Sequence, residues 1–196
     1  MIRKEQALID YINRIVDFSE EDEKKILSSV KTRRYLKGQY LVQQGDICNF
    51  SAFVLKGCTK TFYLDEQGQE HVVMFSIEDW WNSDIASFIT QTPSDFNVQC
   101  LENTDVILFP YDSHENLLES VPILERVFRK IVERALVASQ KRVVRTLSMS
   151  AKERYLFFRE QYPLIEQRVP QYLIASYLGI TKEFLSKIKS QLIQEQ

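Results

Sequence analysis

Residues 169–191 read VPQYLIASYLGITKEFLSKIKSQ. Apolar side chains fall at Ile174, Leu178, Ile180, Leu185 and Ile188, the spacing of two short amphipathic helices. Ala175 is small where the two helices must approach closely. Gly179 stands at the bend, where a positive φ costs little for a residue without Cβ. Thr181 is placed to cap a second helix that exposes Lys182, Glu183, Ser186 and Lys187 on one side. The pattern predicts a helix-turn-helix, the unit whose second helix enters the DNA major groove. An ordinary helical hairpin would also explain a Gly bend. The small residue, the Gly, five apolar positions and the Thr cap fit the DNA-binding unit together, and Lys182, Lys187 and Lys189 make its polar face basic.

Upstream of this unit, Pro170 fits a helix start, where its missing N–H does no harm. Arg168-Val169 is expected as a short strand. Ala151–Tyr162 is expected as a helix with Tyr155, Leu156 and Phe158 apolar, ended by Pro163. From Ile123 to about Leu147 there is no Gly or Pro. One stripe there runs Leu124, Phe128, Ile131, Ala135 and Ala138, expected to pack on a neighbouring domain. A second runs Val132, Leu136, Val143 and Leu147, and is free for a partner helix. Such a helix could be core alone, but about 37 Å at ~1.5 Å per residue exceeds what a small barrel needs. A dimer seam is therefore expected.

Between about Arg33 and Phe109 the period shortens. Tyr35, Tyr40, Val42, Phe53, Val54 and Leu55 lie in short runs broken by Gly38, Gly45 and Gly57. Thr59–Leu64 alternates, and Asp65-Glu66-Gln67-Gly68-Gln69 forms a hairpin turn into Glu70–Ile77. Further short strands are expected at Phe96–Leu101 and Val106–Phe109, with Pro110 closing the series. Many short strands with regular turns suggest a β-barrel or jelly roll. Before it, Ile9, Ile12, Ile15 and Val16 have helical spacing, and Ser19 caps a second helix whose first turn is acidic.

The 196 residues carry a net charge of −2, but residues 1–125 hold 11 Lys+Arg against 21 Asp+Glu and residues 126–196 hold 14 against 6. The basic part contains the helix-turn-helix, as suits a protein with one end on phosphate. No apolar run approaches the ~20 residues of a membrane span, and the N-terminus lacks a signal-peptide core, so a cytoplasmic location is expected. Cys48, Cys58 and Cys100 form no CxxC pair and are expected as buried free thiols. His71 and His114 are isolated, and no metal or cofactor site is expected.

The order acidic β-barrel, long helix, C-terminal helix-turn-helix resembles the Crp/Fnr family of bacterial transcription regulators over nearly the whole chain. The most specific stretches are VPQYLIASYLGITKEFLSKIKS (169–190) and GCTKTFYLDEQGQEHVVMFSIEDWW (57–81). The resemblance implies an α+β chain in three parts. Residues 1–120 would form a cyclic-nucleotide-binding-like barrel with N-terminal helices, 121–148 a dimerisation helix, and 149–196 a winged-helix-like helix-turn-helix domain. It implies a homodimer on a palindromic site in double-stranded DNA, a contact with RNA polymerase, and a small-molecule effector. The matching DNA-contacting positions are Thr181, Lys182, Glu183, Ser186 and Lys187. Lys can donate to guanine N7 and O6, and Glu can accept from cytosine N4. Thr181 and Gln171 are better placed for phosphate.

Cyclic-nucleotide members of that family carry Gly-Glu-Leu before a short helix and Arg-Ser-Ala leading into the next strand. The matching segments here are Ser83-Asp84-Ile85 and Ser94-Asp95-Phe96. Asp84 keeps a carboxylate for a ribose hydroxyl. Ser94 stands where the Arg would pair with phosphate, and Asp95 would repel one, so cyclic AMP is not expected as a ligand. The cysteine cluster of the iron–sulfur members is absent. Trp80, Trp81, Phe88 and Phe96 could line an effector pocket, but are expected as barrel core that closes it. A β-wing often follows the recognition helix in that family, and this sequence runs to Gln196. Two other functions fit parts of the pattern. A small-molecule-binding barrel could carry a helical protein-interaction tail. A cupin-type enzyme would need a His/Glu metal cluster, and the barrel holds only His71.

Overall fold

The computed structural model describes residues 5–194. Two antiparallel four-stranded sheets make the N-terminal body, a jelly-roll sandwich rather than a closed barrel. One sheet has the order β1 (Lys31–Tyr35), β8 (Thr104–Pro110), β3 (Phe50–Lys56), β6 (Trp81–Asn82). The other runs β2 (Tyr40–Val42), β7 (Asn97–Cys100), β4 (Thr59–Leu64), β5 (Glu70–Ser76). The hairpin between β4 and β5 is closed by Asp65, whose Oδ1 accepts from the amides of Gln67 (3.0 Å) and Gln69 (2.8 Å). His71 holds the other oxygen at 2.7 Å, and this bond together with the amides lowers the Asp65 pKa. The inner faces bury Ala52, Val54, Val98, Val106 and Leu108, and their neighbours Phe53, Ile107 and Phe109 alternate to the opposite face, under helices.

Helices α1 (Gln6–Asn13) and α2 (Glu20–Ser29) cover one end of the sandwich, and α2 starts with a reciprocal Ser19–Asp22 capping box. Ile15 and Val16 fall just beyond α1, in the turn that follows it. Between β6 and β7 lies the single-turn α3 (Ile85–Thr90), and α4 (Tyr111–Ser120) follows β8. The long helix α5 (Ile123–Ser148) has 26 residues, about 39 Å at ~1.5 Å each. Leu124, Val127, Phe128 and Ile131 pack on the sandwich, where Tyr11, Phe53, Trp81, Phe109 and Phe128 form a continuous aromatic cluster. The expected packing stripe stops there. Ala135 and Ala138 are exposed, because their side chains are too short to bridge the widening gap to the sheet.

The C-terminal part is α6 (Ala151–Gln161), α7 (Pro163–Arg168), α8 (Gln171–Leu178) and α9 (Lys182–Gln194). Two details differ from the sequence-based expectation. Pro163 does not merely end α6; it opens α7 at its first helical position. Arg168 closes α7 and Val169 alone is extended, so no strand forms there. No strand follows Pro110 among the described residues, and the wing expected of the C-terminal domain is not part of them. The sandwich and the C-terminal helices share one core. Cys58, Phe62, Val72, Phe75 and Ile77 from the sheet pack with Tyr155, Phe158, Leu173, Ile174 and Leu185. All three cysteines are buried free thiols, and burial raises each pKa, that of Cys58 to about 12.

Candidate nucleic-acid interface

The turn between α8 and α9 is built by hydrogen bonds that only a left-handed residue permits. Gly179 has φ 68°; its amide donates to Ser176 O and the Ile180 amide to Ala175 O, both at 3.0 Å. This is a Schellman closure, and it fixes the angle between the two helices. Thr181 Oγ1 then accepts from the Phe184 amide at 3.2 Å and caps α9. Leu173, Ile174, Ala175, Leu178, Leu185 and Ile188 are buried beneath, on Tyr155 and Phe158 of α6. Ile180 is only half-buried.

With that face fixed inward, Thr181, Lys182, Glu183, Ser186 and Lys187 are all exposed on the outer side, and Gln171 is exposed at the start of α8. Lys189 does not belong with them. It is half-buried, 3.4 Å from Glu166 Oε1, and faces the Tyr155 ring. Tyr155 OH donates to the same carboxylate at 3.0 Å, and burial first, then Glu166, pushes its pKa up to about 12. Lys189 therefore ties α9 to α6 and α7. Tyr172 and Phe184, exposed at 54% and 47%, are large aromatic side chains beside this surface that spacing alone did not mark.

The sandwich site is arranged differently. Asp84 is buried and caps α3: its Oδ1 accepts from the amides of Ala86 (3.0 Å) and Ser87 (3.2 Å). Its Oδ2 accepts from Ser94 Oγ (2.7 Å) and the Asp95 amide (3.2 Å). Both oxygens thus serve the fold, and the Asp95 side chain lies exposed. Of the four expected pocket residues, Ser83 and Asp84 reach a cleft, while Ser94 and Asp95 do not line it. That cleft, about 420 Å³, lies between the sandwich, α5 and the C-terminal helices. Trp80 and Phe96 line it, whereas Trp81 belongs to the aromatic cluster and Phe88 is buried. The aromatic residues therefore divide between core and cleft instead of closing it.

The family model for the cyclic nucleotide-binding domain matches residues 32–121, the sandwich with α3 and α4. The transcriptional activator protein anr of Pseudomonas aeruginosa is 26% identical over 191 residues, covering 89% of this chain and 75% of its own. These matches support a Crp/Fnr family regulator. The fold extends to solved regulators. The c-di-GMP-responsive global regulator CLP of Xanthomonas campestris aligns with a TM-score of 0.72 at 15% identity, over 90% of this chain and 93% of that one. FixK2 from Bradyrhizobium japonicum aligns at 0.72 and 16% identity, over 85% of each chain. No helix of the described residues is long and apolar enough to cross a membrane, and they hold no group of three or more His, Cys, Asp or Glu suited to a metal ion.

Proposed function

We propose that this Crp/Fnr protein is a cytoplasmic, non-enzymatic transcription regulator that binds a palindromic DNA site as a homodimer. The observation that carries this is the α9 surface. Lys182, Glu183, Ser186 and Lys187 stand clear of the core on a helix whose cap and angle are fixed, ready for base edges and phosphates. Thr181 and Gln171 sit at helix starts, where phosphate is favoured. The relative from Pseudomonas aeruginosa is named a transcriptional activator, which agrees.

The exposed face of α5 supports the dimer. Beyond Ile131 its apolar residues face solvent, with Leu136 58%, Val144 60% and Leu147 82% exposed, alongside Val132, Val137 and Val143. A second α5 would cover this seam and place two recognition helices about one DNA turn apart, ~34 Å. Cyclic AMP is not the effector in this proposal. The phosphate position carries Ser94 hydrogen-bonded to Asp84, and no Arg stands there.

Selection of genomic fragments by the purified protein, followed by footprinting, tests the proposal. A two-fold symmetric protected site is expected, and Lys182→Ala with Lys187→Ala should weaken its binding at least about tenfold at fixed salt. Equal binding to all sequences, or no effect of the double substitution, contradicts it.

A further inference from the structure

Three arginines converge where α5, α6 and α8 meet. Arg142 and Arg145 come from α5 and Arg154 from α6, and all three line one small pocket with Tyr162 and Tyr177. No residue lining this pocket carries a carboxylate, and none of the three arginines makes an ion pair among the described residues. Their partners are neutral. Arg142 donates to the carbonyls of Val73, Val72 (3.2 Å) and Tyr177 (3.1 Å), and lies over the Tyr177 ring at 4.3 Å. Arg145 stacks on Phe157 at 4.0 Å. Arg154 Nη1 donates to Met149 O at 2.7 Å, but its buried Nε has no hydrogen-bond partner. Burial lowers the Arg142 pKa, as it must where no anion compensates the charge.

Clustered guanidinium groups without a counter-charge are costly, and a planar or tetrahedral oxyanion is what their fixed forks match. The pocket is not isolated. Arg142, Arg145, Phe158, Tyr162 and Tyr177 also line the 420 Å³ cleft, whose other walls include Phe75, Trp80, Phe96, Ala135 and Ala138. The cleft also carries the carboxylate of Asp84, held by Ser94 where the family's phosphate Arg would stand and this chain has none, while its positive charge comes from α5 beside Tyr162 and Tyr177. A molecule bound here would therefore lie with its anionic end toward the DNA-binding helices.

We propose that Arg142, Arg145 and Arg154 bind the phosphate or carboxylate group of a small molecule whose flat apolar body fills the cleft beside Trp80 and Phe96. Such a ligand would bridge α5, α6 and the edge of β5, and so fix the DNA-binding helices against the sandwich. Only this last consequence rests on the regulator proposal, because the binding test contains no DNA.

The probe is 8-anilinonaphthalene-1-sulfonate, a flat apolar anion, titrated into the full chain and followed by fluorescence. Its neutral parent, 1-anilinonaphthalene, is the control. Saturable binding of the anion, at least about tenfold tighter than the neutral dye, is expected, because charge-assisted bonds contribute about 1.5–3 kcal/mol. Arg145→Gln and Arg154→Gln should each remove most of that preference, while Lys141→Ala, exposed on the same helix, should leave it intact. Displacement of the dye by inorganic phosphate, or instead by benzoate, tells a phosphate from a carboxylate ligand. Equal affinity for the two dyes on the unaltered chain overturns the proposal, and that comparison needs no variant to fold. Retention of the anion preference in both Gln variants overturns it as well.

Discussion

Two glycines show how differently single residues act in this chain. Gly179 has φ 68° and open space where a Cβ would stand. Gly179→Ala should therefore cost only the left-handed backbone, ~1–2 kcal/mol. Gly57 has φ 113°, and a Cβ there would meet Thr104 Oγ1 at 2.5 Å and Thr104 Cα at 2.7 Å. Gly57→Ala should cost above ~3 kcal/mol, since strain and clash add. Denaturant midpoints at unchanged slope would measure both, and equal shifts would contradict the argument. The first glycine was legible because a helix-turn-helix imposes its φ locally. The second was not, because its constraint comes from a strand 47 residues later in the sequence. Lys189 illustrates the same limit. Its spacing suggests the basic face, and only the packing of α7 brings Glu166 close enough to draw it away. Arg142, Arg145 and Arg154 were visible as positive charge, but their convergence needs three helices to meet.

Among the elements, α5 was the most legible in length and the least in role. Its absence of Gly and Pro and its two apolar stripes fixed its extent. The sequence could not show that the packing stripe ends at Ile131, because alanine suits a tight contact and an open cleft equally. The second half of α5 thus has apolar residues on more than one side facing solvent, a costly arrangement for a lone helix. The full chain should sediment as a dimer at micromolar concentration. Leu136→Glu with Val143→Glu, one heptad apart on the exposed face, should convert it to monomer without loss of helical content. A monomeric parent chain would refute the seam. The short α7 escaped the sequence pattern for another reason. At six residues it is too short to show a period, so Pro163 read as a stop when it is a start.

At the scale of the whole molecule, the three-part order was legible and the joining of its parts was not. The edge of β5 would expose backbone groups, and the C-terminal helices cover them. Ser176 Oγ donates to Glu70 O (2.8 Å) and accepts from the Val72 amide (3.0 Å), while Arg142 takes the Val72 and Val73 carbonyls. Arg168 adds a latch, pairing with Glu78 at 2.7 Å and Glu102 at 2.8 Å across the junction. A shared core and these ties predict one cooperative unfolding transition near neutral pH. The latch also sets an acid dependence. Burial alone would raise the Glu78 pKa, but Arg168 and the Gly57 amide outweigh it and hold the carboxyl below its ordinary 4.5. A carboxyl depressed on folding stabilises the fold fully above that ordinary value and loses its contribution as pH falls through the lower, folded one. Glu78 is 39% exposed, so the contribution is modest, about 1 kcal/mol or less. Arg168→Met should therefore lower the melting temperature at about pH 7, and the gap from the parent chain should narrow steadily below about pH 4.5. A gap that stays constant down to acid pH would show that Arg168 acts through packing of its stem, and not through the ion pair that joins the sandwich to the C-terminal helices.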